Sequence, residues 1–435
     1  MKRFFAWACC ILLCLSFVAG CASSKTEAPL TSEQRENRDR ILQSGPSDAT
    51  RNELLREDLT YYLNEFPKKH KNPFGILSRE EFEARMNDLI ARVDTLDNVH
   101  VFVELQKIVA AVGDAHTGLN FYDGFHYPLE FYLFQGGVYI VNADKSLESL
   151  LYARVTAIDG TPVDEVLKRL SALAPHENES WLSSCLSQYL SAPIYLYGAD
   201  VVKEEAQAVF TTEKDGVTAD TTVRALAYEE SADPCVKLTS NVFTGVYDEL
   251  YSYEYLPESK ALYFAYNECT NWIEHRFRDF NRELFEAAAA NDVERIVLDL
   301  RCNSGGNSEV LNPFTNELKS YLKQHAGIKV FILVSRNTFS SGIFAIYRTI
   351  EAAPGAVSVG ECSGGSPDAY GEVKVGYLPN SRIIFSYSTK YFAFSEDFTY
   401  KNTGDHTFLP DVELEPSIDD YISKNDVVLN YALSH

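Results

Sequence analysis

Between residues 260 and 361 the chain alternates short apolar runs with longer amphipathic segments, and this alternation restricts the fold more than any other feature of the sequence. The runs IVLDL at 296–300 and VFILV at 330–334 are almost continuously apolar, which is typical of strands covered on both faces. The pattern predicts an α/β domain with a mostly parallel core sheet. We expect strands at 260–267, 295–301, 329–335, 356–361 and, at the end, 382–394, with helices at 272–291, 309–325 and 340–353.

Three segments before this domain repeat apolar residues every three or four positions and predict amphipathic helices at 49–66, 78–96 and 98–112. Ser78 and Glu81 have the spacing of a capping box at the start of the second helix. Gly113 and Asp114 end the helical pattern, so His116 should lie on the turn that follows.

Between the helical region and the α/β domain, the spacing of apolar residues changes from a helical pattern to a strand-like one. Residues 127–143 alternate in the manner of strands, residues 153–173 indicate a strand, a tight Asp159–Gly160 turn and a helix, and residues 218–228 indicate another strand. This predicts a separate small α+β domain. The expected organisation is a signal peptide at 1–20, a tether at 21–48, an N-terminal helical region at 49–125, the small middle domain at 126–227 and a catalytic α/β domain at 228–435.

Composition excludes several classes of function. The 435-residue chain carries a formal charge of −23, and no basic stripe is present that nucleic acid would require. Five cysteines follow position 21, and they show no CxxC spacing, which argues against a zinc site and a full disulfide framework. We expect no metal and no cofactor.

The N-terminus has the pattern of an export signal. Lys2 and Arg3 precede an apolar stretch, and small residues lead to Cys21 in the run Val-Ala-Gly-Cys. This run resembles a bacterial lipobox, in which cleavage before the cysteine is coupled to its acylation. The expected product is an extracytoplasmic lipoprotein anchored to a membrane through Cys21; the alternative is an ordinary secretory signal with an incidental cysteine.

Two loops that follow predicted strands could form a site, because sites in open α/β sheets lie beyond the carboxyl ends of the strands. One loop contains Gly305 and Gly306, whose backbone can approach a ligand closely. The other leads to Ser340 at the predicted start of a helix, with the N–H of Ser341 pointing into the same space. This arrangement suits a nucleophilic hydroxyl beside an oxyanion hole, but serine is also a favoured N-cap residue, and these segments alone leave both interpretations open.

A serine hydroxyl needs a base to react at neutral pH. Of the nine histidines, His116 is distinguished by its place in a short turn between small residues instead of on an amphipathic face. A lone histidine in a turn is often structural, so the residues alone do not decide its role.

Five motifs together resemble the tail-specific (carboxy-terminal processing) peptidases and the tricorn core, in that family's order and approximate spacing. They are VGDAHTGL at 112–119, RIVLDLRCNSGGN at 295–307, VFILVSRNTFSSG at 330–342, VSVGECSGG at 357–365 and FLPDVELEPSIDDYI at 408–422. The resemblance covers residues 79–430. It implies a crotonase/ClpP-like catalytic domain, and residues 153–166 resemble part of a PDZ domain.

The resemblance also implies roles for individual residues. Ser340 matches the family nucleophile, and His116 matches the histidine base of the tricorn-like branch. The other branch uses a lysine about 25 residues after the serine, where this chain has Gly364, Gly365 and Ser366 without an amine. A Ser-Lys dyad is therefore not expected, and Lys390 matches a non-catalytic position.

The third member of a triad is left open by the sequence. Glu372 lies where the lysine branch keeps a polar partner, and Asp405 lies near the glutamate of the tricorn-like branch. Ala115 replaces the serine that precedes the histidine in the tricorn core, and we interpret Asp114 as a cap of the loop.

The expected function is peptide-bond hydrolysis by an anchored serine endopeptidase. Ser340 attacks, His116 moves the proton, and N–H groups of Ser341, Gly305 and Gly306 hold the oxyanion. The substrate is a polypeptide, and the oligomeric state is not readable. The alternative is a noncatalytic envelope protein that binds peptides or lipophiles on the same fold; reaction of Ser340 with a fluorophosphonate would separate the two.

Overall fold

The computed structural model describes residues 30–121, 124–227, 230, 233–236, 240–243, 245–397, 403–404 and 406–435. These residues form a mixed α/β structure with several sheets. The α-helices are Ser32–Gln43, Ala49–Lys69, Arg79–Arg92, Asn98–Ala110, Val163–Ser171, Glu179–Tyr189, Pro193–Gly198, Phe277–Ala290, Asn312–Gln324, Ser341–Ala352, Phe394–Asp397, Ile418–Ser423 and Val427–Ser434, and Lys145–Leu150 and Ser308–Leu311 are 3₁₀ helices.

The core sheet has the mostly parallel order that the sequence predicts. Its strands, in spatial order, are Tyr251–Leu256, Ala261–Tyr266, Arg295–Asp299, Lys329–Val334, Val357–Gly360 and Val412–Glu413. Only the first pair is antiparallel. Ile296 and Leu298 pack among helices on one face, while Val297 packs with Val428 of the C-terminal helix on the other. This burial on two sides explains the continuous apolar runs.

Residues 129–224, in the middle of the chain, contribute a second sheet. Its main strands are Leu129–Phe134, Gly137–Ala143, Arg154–Ile158, Gln207–Lys214 and Val217–Arg224, with Thr161–Pro162 beside the third. Asp159 has a φ of 45° and Gly160 one of 75°, so the predicted tight turn lies between the third strand and Thr161–Pro162. The described residues also form three two-stranded sheets: Phe125–His126 with Leu226–Ala227, Ser240–Asn241 with Val246–Tyr247, and Thr403–Gly404 with Thr407–Phe408.

The N-terminal helices pack against a third, antiparallel sheet of Gly118–Asn120, Ile384–Ala393 and Asp368–Tyr377. Ser78 is the N-cap of its helix and accepts the N–H of Glu81, while the Glu81 carboxylate pairs with Arg85 and not with the backbone of Ser78. The range 21–48, expected as a tether, includes the helix Ser32–Gln43, whose Ile41 is buried against this layer. A helix forms there because Thr31 and Gln34 make a complete capping box.

The predicted signal peptide and Cys21 lie outside the described residues. Among the residues that the structure describes, no helix combines the length and apolar character needed to cross a bilayer.

Candidate active site

Ser340 lies at the carboxyl edge of the core sheet, between the strand Lys329–Val334 and the helix Ser341–Ala352. It occupies the N-cap position, but its side chain makes no capping hydrogen bond. Its backbone angles, φ 51° and ψ −120°, belong to a region that residues with a Cβ rarely adopt. Such strain is found preferentially at functional sites. Because the hydroxyl does not cap the helix, it is available to another partner.

That partner is His116. Its Nε2 atom lies 3.0 Å from Oγ of Ser340. The turn that carries His116 is held by the third sheet, because Oγ of Ser386 donates to the carbonyl oxygen of His116 at 2.9 Å and accepts the N–H of Gly118 at 3.0 Å. The structure thus brings together two residues that the sequence places in separate regions.

The protonation state of His116 follows from its surroundings. Burial lowers the pKa of His116 below its usual value of 6.5, and the charge of Asp114 partly opposes that effect. The imidazole is therefore neutral at neutral pH, which is the form that can accept a proton from a hydroxyl.

Asp114 caps this turn, as the sequence suggests, and also lies beside the imidazole. Its Oδ1 accepts the backbone N–H of His116 at 2.9 Å and lies 3.8 Å from Nδ1 of the same residue. Its Oδ2 is 2.9 Å from Nε2 of His70 and accepts the hydroxyl of Thr117 at 2.5 Å. Burial alone would raise the pKa of Asp114, but the hydrogen bond from His70, the electrostatic interactions with the His116 and His70 rings and the Thr117 hydroxyl together lower it.

The glycine loop lies directly against Ser340. A Cβ on Gly305 would be 2.7 Å from Cβ and 3.1 Å from Oγ of Ser340, and Gly305 has a φ of 117°. The loop is fixed by Asn303, whose Oδ1 accepts the N–H of Gly305 at 3.0 Å and whose Nδ2 donates to the carbonyl of Tyr266. Asn303 therefore fixes the conformation of the glycine loop.

The backbone donors near Ser340 are not equivalent. The N–H of Gly305 is already bonded to Asn303. Within the described part of the chain, the N–H groups of Gly306 and Ser341 make no such bond, and the two residues are joined by a 2.7 Å hydrogen bond from Oγ of Ser341 to the carbonyl of Gly306. The geometry thus distinguishes Gly306 from Gly305, which the sequence could not do.

The loop that precedes Ser340 packs against the predicted middle domain, residues 126–227. The ring of Phe339 stacks on Trp181 with centroids 4.0 Å apart and belongs to the hydrophobic core of the second sheet. The buried Arg336 forms an ion pair with Glu361 at 2.6 Å and donates to the carbonyl of Leu133 at 2.8 Å. The predicted middle domain therefore supports the conformation of the Ser340 loop.

An open cleft of about 590 Å³ contains the pair. Its walls combine apolar rings with charged groups; they include Phe344, Phe392, Phe394, Arg348, Glu309 and Lys390.

The sequence offers two carboxylates, Glu372 and Asp405, as the third residue of a catalytic triad, and the structure describes only the first. Glu372 lines the cleft, but its side chain is 56% exposed and lies 3.8 Å from Nζ of Lys374. Asp405 lies outside the described residues. Lys390 also faces the cleft, where its Nζ lies 4.5 Å from the centre of the Phe392 ring.

His70 is the residue near this site that sequence reasoning missed. It follows the helix Ala49–Lys69 in a lysine-rich stretch, and nothing in the local pattern distinguishes it from a surface histidine. Its contact with Asp114 joins positions 44 residues apart, so only the folded chain reveals the relationship.

Comparison with family models and with curated proteins gives no match. Among solved structures, mature CPAF aligns with a TM-score of 0.62 at 13% identity, over 88% of this chain and 96% of that chain. The chain shares the fold of CPAF. A serine-to-alanine mutant of CPAF also aligns at 0.62, with 12% identity over 88% and 97% of the two chains. The photosystem II D1 C-terminal processing protease has a TM-score of 0.39 at 12% identity, over 83% and 94%.

Proposed function

We propose that this chain is a serine-type endopeptidase in which Ser340 is the nucleophile and His116 the general base. The observation that carries the proposal is the 3.0 Å distance between Nε2 of His116 and Oγ of Ser340, since a nucleophile and its base must lie within hydrogen-bond reach. The neutral, buried imidazole supports the same assignment.

In the proposed reaction, Ser340 Oγ attacks the carbonyl carbon of a peptide bond while His116 accepts its proton. His116 then donates that proton to the leaving amine, and water hydrolyses the acyl-enzyme with the same base. The backbone N–H groups of Ser341 and Gly306 stabilise the charge on the carbonyl oxygen. Gly305 contributes by allowing close approach of the backbone.

The proposal extends to the organisation of the chain. We assign residues 228–435 to a crotonase/ClpP-like catalytic domain, residues 49–125 to the helical region that carries the base, and residues 126–227 to a PDZ-like domain. The strand–turn–strand at Arg154–Pro162 followed by the helix Val163–Ser171 supports the last assignment.

Labelling with a fluorophosphonate, located by mass spectrometry, tests the nucleophile. The expected adduct is on Ser340, and Ser340→Ala should abolish both labelling and hydrolysis of a peptide library. Ser187→Ala is the matched control, because the hydrogen bond that the described structure gives the Ser187 hydroxyl is to a carbonyl of its own helix. A drop in kcat on the order of 10⁴-fold or more is expected for Ser340→Ala and also for His116→Ala, since the two act as a unit.

Two results would contradict the peptidase. One is a Ser340→Ala variant with undiminished hydrolysis. The other is folded wild-type protein that neither labels nor hydrolyses, which would favour the noncatalytic binder of peptides or lipophiles.

We further propose that Cys21 is acylated and anchors the protein on the extracytoplasmic side of a bacterial membrane. Metabolic labelling with a palmitate analogue should mark the wild type and leave Cys21→Ala unlabelled. Membrane fractionation of the same pair should move the variant away from the membrane. Equal membrane association of both would contradict the anchor.

A further inference from the structure

We propose that His70 is a positioning residue of this site, which holds the carboxylate of Asp114 in place beside the imidazole of His116. The inference rests on the proposed function. It concerns a histidine that belongs to none of the five family-like motifs.

The contact between His70 and Asp114 lies in the protein interior. Both side chains are fully buried, and Nε2 of His70 is 2.9 Å from Oδ2 of Asp114. The Nδ1 atom of His70 accepts the backbone N–H of Asn72 at 3.1 Å. Because Nδ1 accepts this hydrogen bond, the ring proton of His70 lies on Nε2 and is donated to Asp114.

The contacts of Asp114 fix its orientation. His70 and Thr117 donate to Oδ2, while the backbone N–H of His116 donates to Oδ1. A carboxylate with donors on both oxygens cannot rotate without losing at least one of them. Oδ1 is thereby kept 3.8 Å from Nδ1 of His116, where its negative charge favours the protonated imidazole that forms during the reaction.

Other titratable side chains lie near this pair, along one cavity: Lys71, Glu177, Asp368, Tyr370, Tyr391 and His406. Glu177 lies near Asp114, and its pKa is raised well above the usual value by burial and by the charge of Asp114, against the N–H of Ala115. The raised pKa disfavours a second carboxylate charge beside that of Asp114. On the outer side, the ring of Tyr370 is 5.4 Å from that of His70, and Lys71 lines a cavity with Glu177 and Tyr370.

Two substitutions of His70 separate its hydrogen bond from its volume. His70→Leu removes the donor but fills most of the space, whereas the amide of His70→Gln places an N–H near the position of Nε2. We expect His70→Leu to lower kcat on the order of 10- to 100-fold with KM changed by less than about threefold, because outer partners of a functional histidine have effects of this size. His70→Gln should recover most of the loss. Asn72→Ala is the control, since it keeps the backbone N–H that His70 accepts.

The pH profile of kcat/KM gives a readout that a purely structural role would not change. Loss of the His70 hydrogen bond raises the pKa of Asp114. As the pH falls, the Asp114–His116 pair therefore takes up its first proton at a higher pH than in wild type. The acidic limb should therefore move to higher pH in His70→Leu. Asp114→Asn removes the negative charge that raises the pKa of His116, so its acidic limb should move to lower pH. The two shifts have opposite signs.

Fluorophosphonate labelling rates, measured over the same pH range, make the test independent of the substrate. If wild type labels at Ser340 while His70→Leu, folded by circular dichroism, labels with an unchanged rate and acidic limb, this inference is wrong and the peptidase proposal stands. If wild type itself does not label or hydrolyse, the proposed function fails instead. Should His70→Leu not fold, an activity of His70→Gln as low as that of Asp114→Asn would overturn the inference.

Discussion

Nε2 of His116 lies 3.0 Å from Oγ of Ser340, although 224 positions separate the two residues in the sequence. His116 is held by a turn between the helix Asn98–Ala110 and the third sheet, and Ser340 by the carboxyl edge of the core sheet. Neither part of the chain contains both groups, so the site depends on the packing of the helical region against the core.

The glycine loop should tolerate no side chain beside Ser340. In Gly305→Ala the new Cβ would lie 2.7 Å from Cβ of Ser340 and the backbone φ is 117°, so either the loop or the serine must move. We expect kcat to fall at least about 100-fold, because displacement of a reacting group by about 1 Å has effects of this size.

Gly327→Ala is the matched control for the backbone. Gly327 also has a positive φ, 97°, but nothing lies within 4 Å of the position that its added methyl group would occupy. The control should lose stability by roughly 1–3 kcal/mol, the cost of holding a residue with a Cβ in a sparsely populated backbone region, and keep full kcat in peptide hydrolysis. Equal kcat values for the two variants would contradict the close approach of Gly305 to Ser340.

Glu372 should contribute little to proton transfer. Its carboxylate is 56% exposed and paired with Lys374, so its charge is screened by water before it can act on a buried imidazole. We expect Glu372→Gln to keep kcat within about threefold, with any change appearing in KM because the residue lines the cleft. A kcat loss of 100-fold or more, measured with a peptide substrate, would place Glu372 in the catalytic group instead.

The core sheet is predictable from sequence for a physical reason. Its central strands are buried on both faces and therefore contain the apolar runs at 296–300 and 330–334. Most residues of the edge strand Tyr251–Leu256 are only partly buried. Its tyrosines alternate with polar residues, and such a composition does not distinguish a strand from a connecting segment. The sequence therefore indicates the centre of the sheet more clearly than its edge.

The candidate site is predictable to the extent that its residues are local. Ser340 and the Gly305–Gly306 turn follow predicted strands, so their common edge follows from topology alone. The network of His70 and Asp114 requires two turns from distant positions to pack together in the interior. No periodicity or spacing in one sequence records such a contact.

The pH dependence of wild type should reflect the lowered pKa of His116. Burial lowers that pKa below 6.5, the charge of Asp114 opposes it only in part, and activity requires the neutral imidazole. We expect kcat/KM to decrease as pH falls, with the midpoint of the acidic limb below 6.5. A profile measured from pH 4 to 9 with a midpoint clearly above 6.5 would contradict the assignment of His116 as a desolvated base.

Glu130, in the strand Leu129–Phe134 of the second sheet, should make the stability of the chain depend on pH. Burial raises its pKa from the usual 4.5 to about 7, although the side chain of Asn142 donates a hydrogen bond to it. A carboxyl group whose pKa is raised by folding contributes stability that is fully present below pH 4.5 and is lost as the pH rises through about 7.

Glu130→Gln removes this ionisation and keeps an acceptor oxygen for Asn142. Its free energy of unfolding should match that of wild type near pH 4.5 and exceed it by roughly 1–3 kcal/mol at pH 8.5, because one unit of pKa shift corresponds to about 1.4 kcal/mol and part of the shift is lost to relaxation. Thermal unfolding at the two pH values measures the difference. Glu204→Gln, an exposed glutamate of the same region, is the control and should leave Tm unchanged at both. A gain for Glu130→Gln that is equal at the two pH values would show that packing, and not the charge of Glu130, determines the effect.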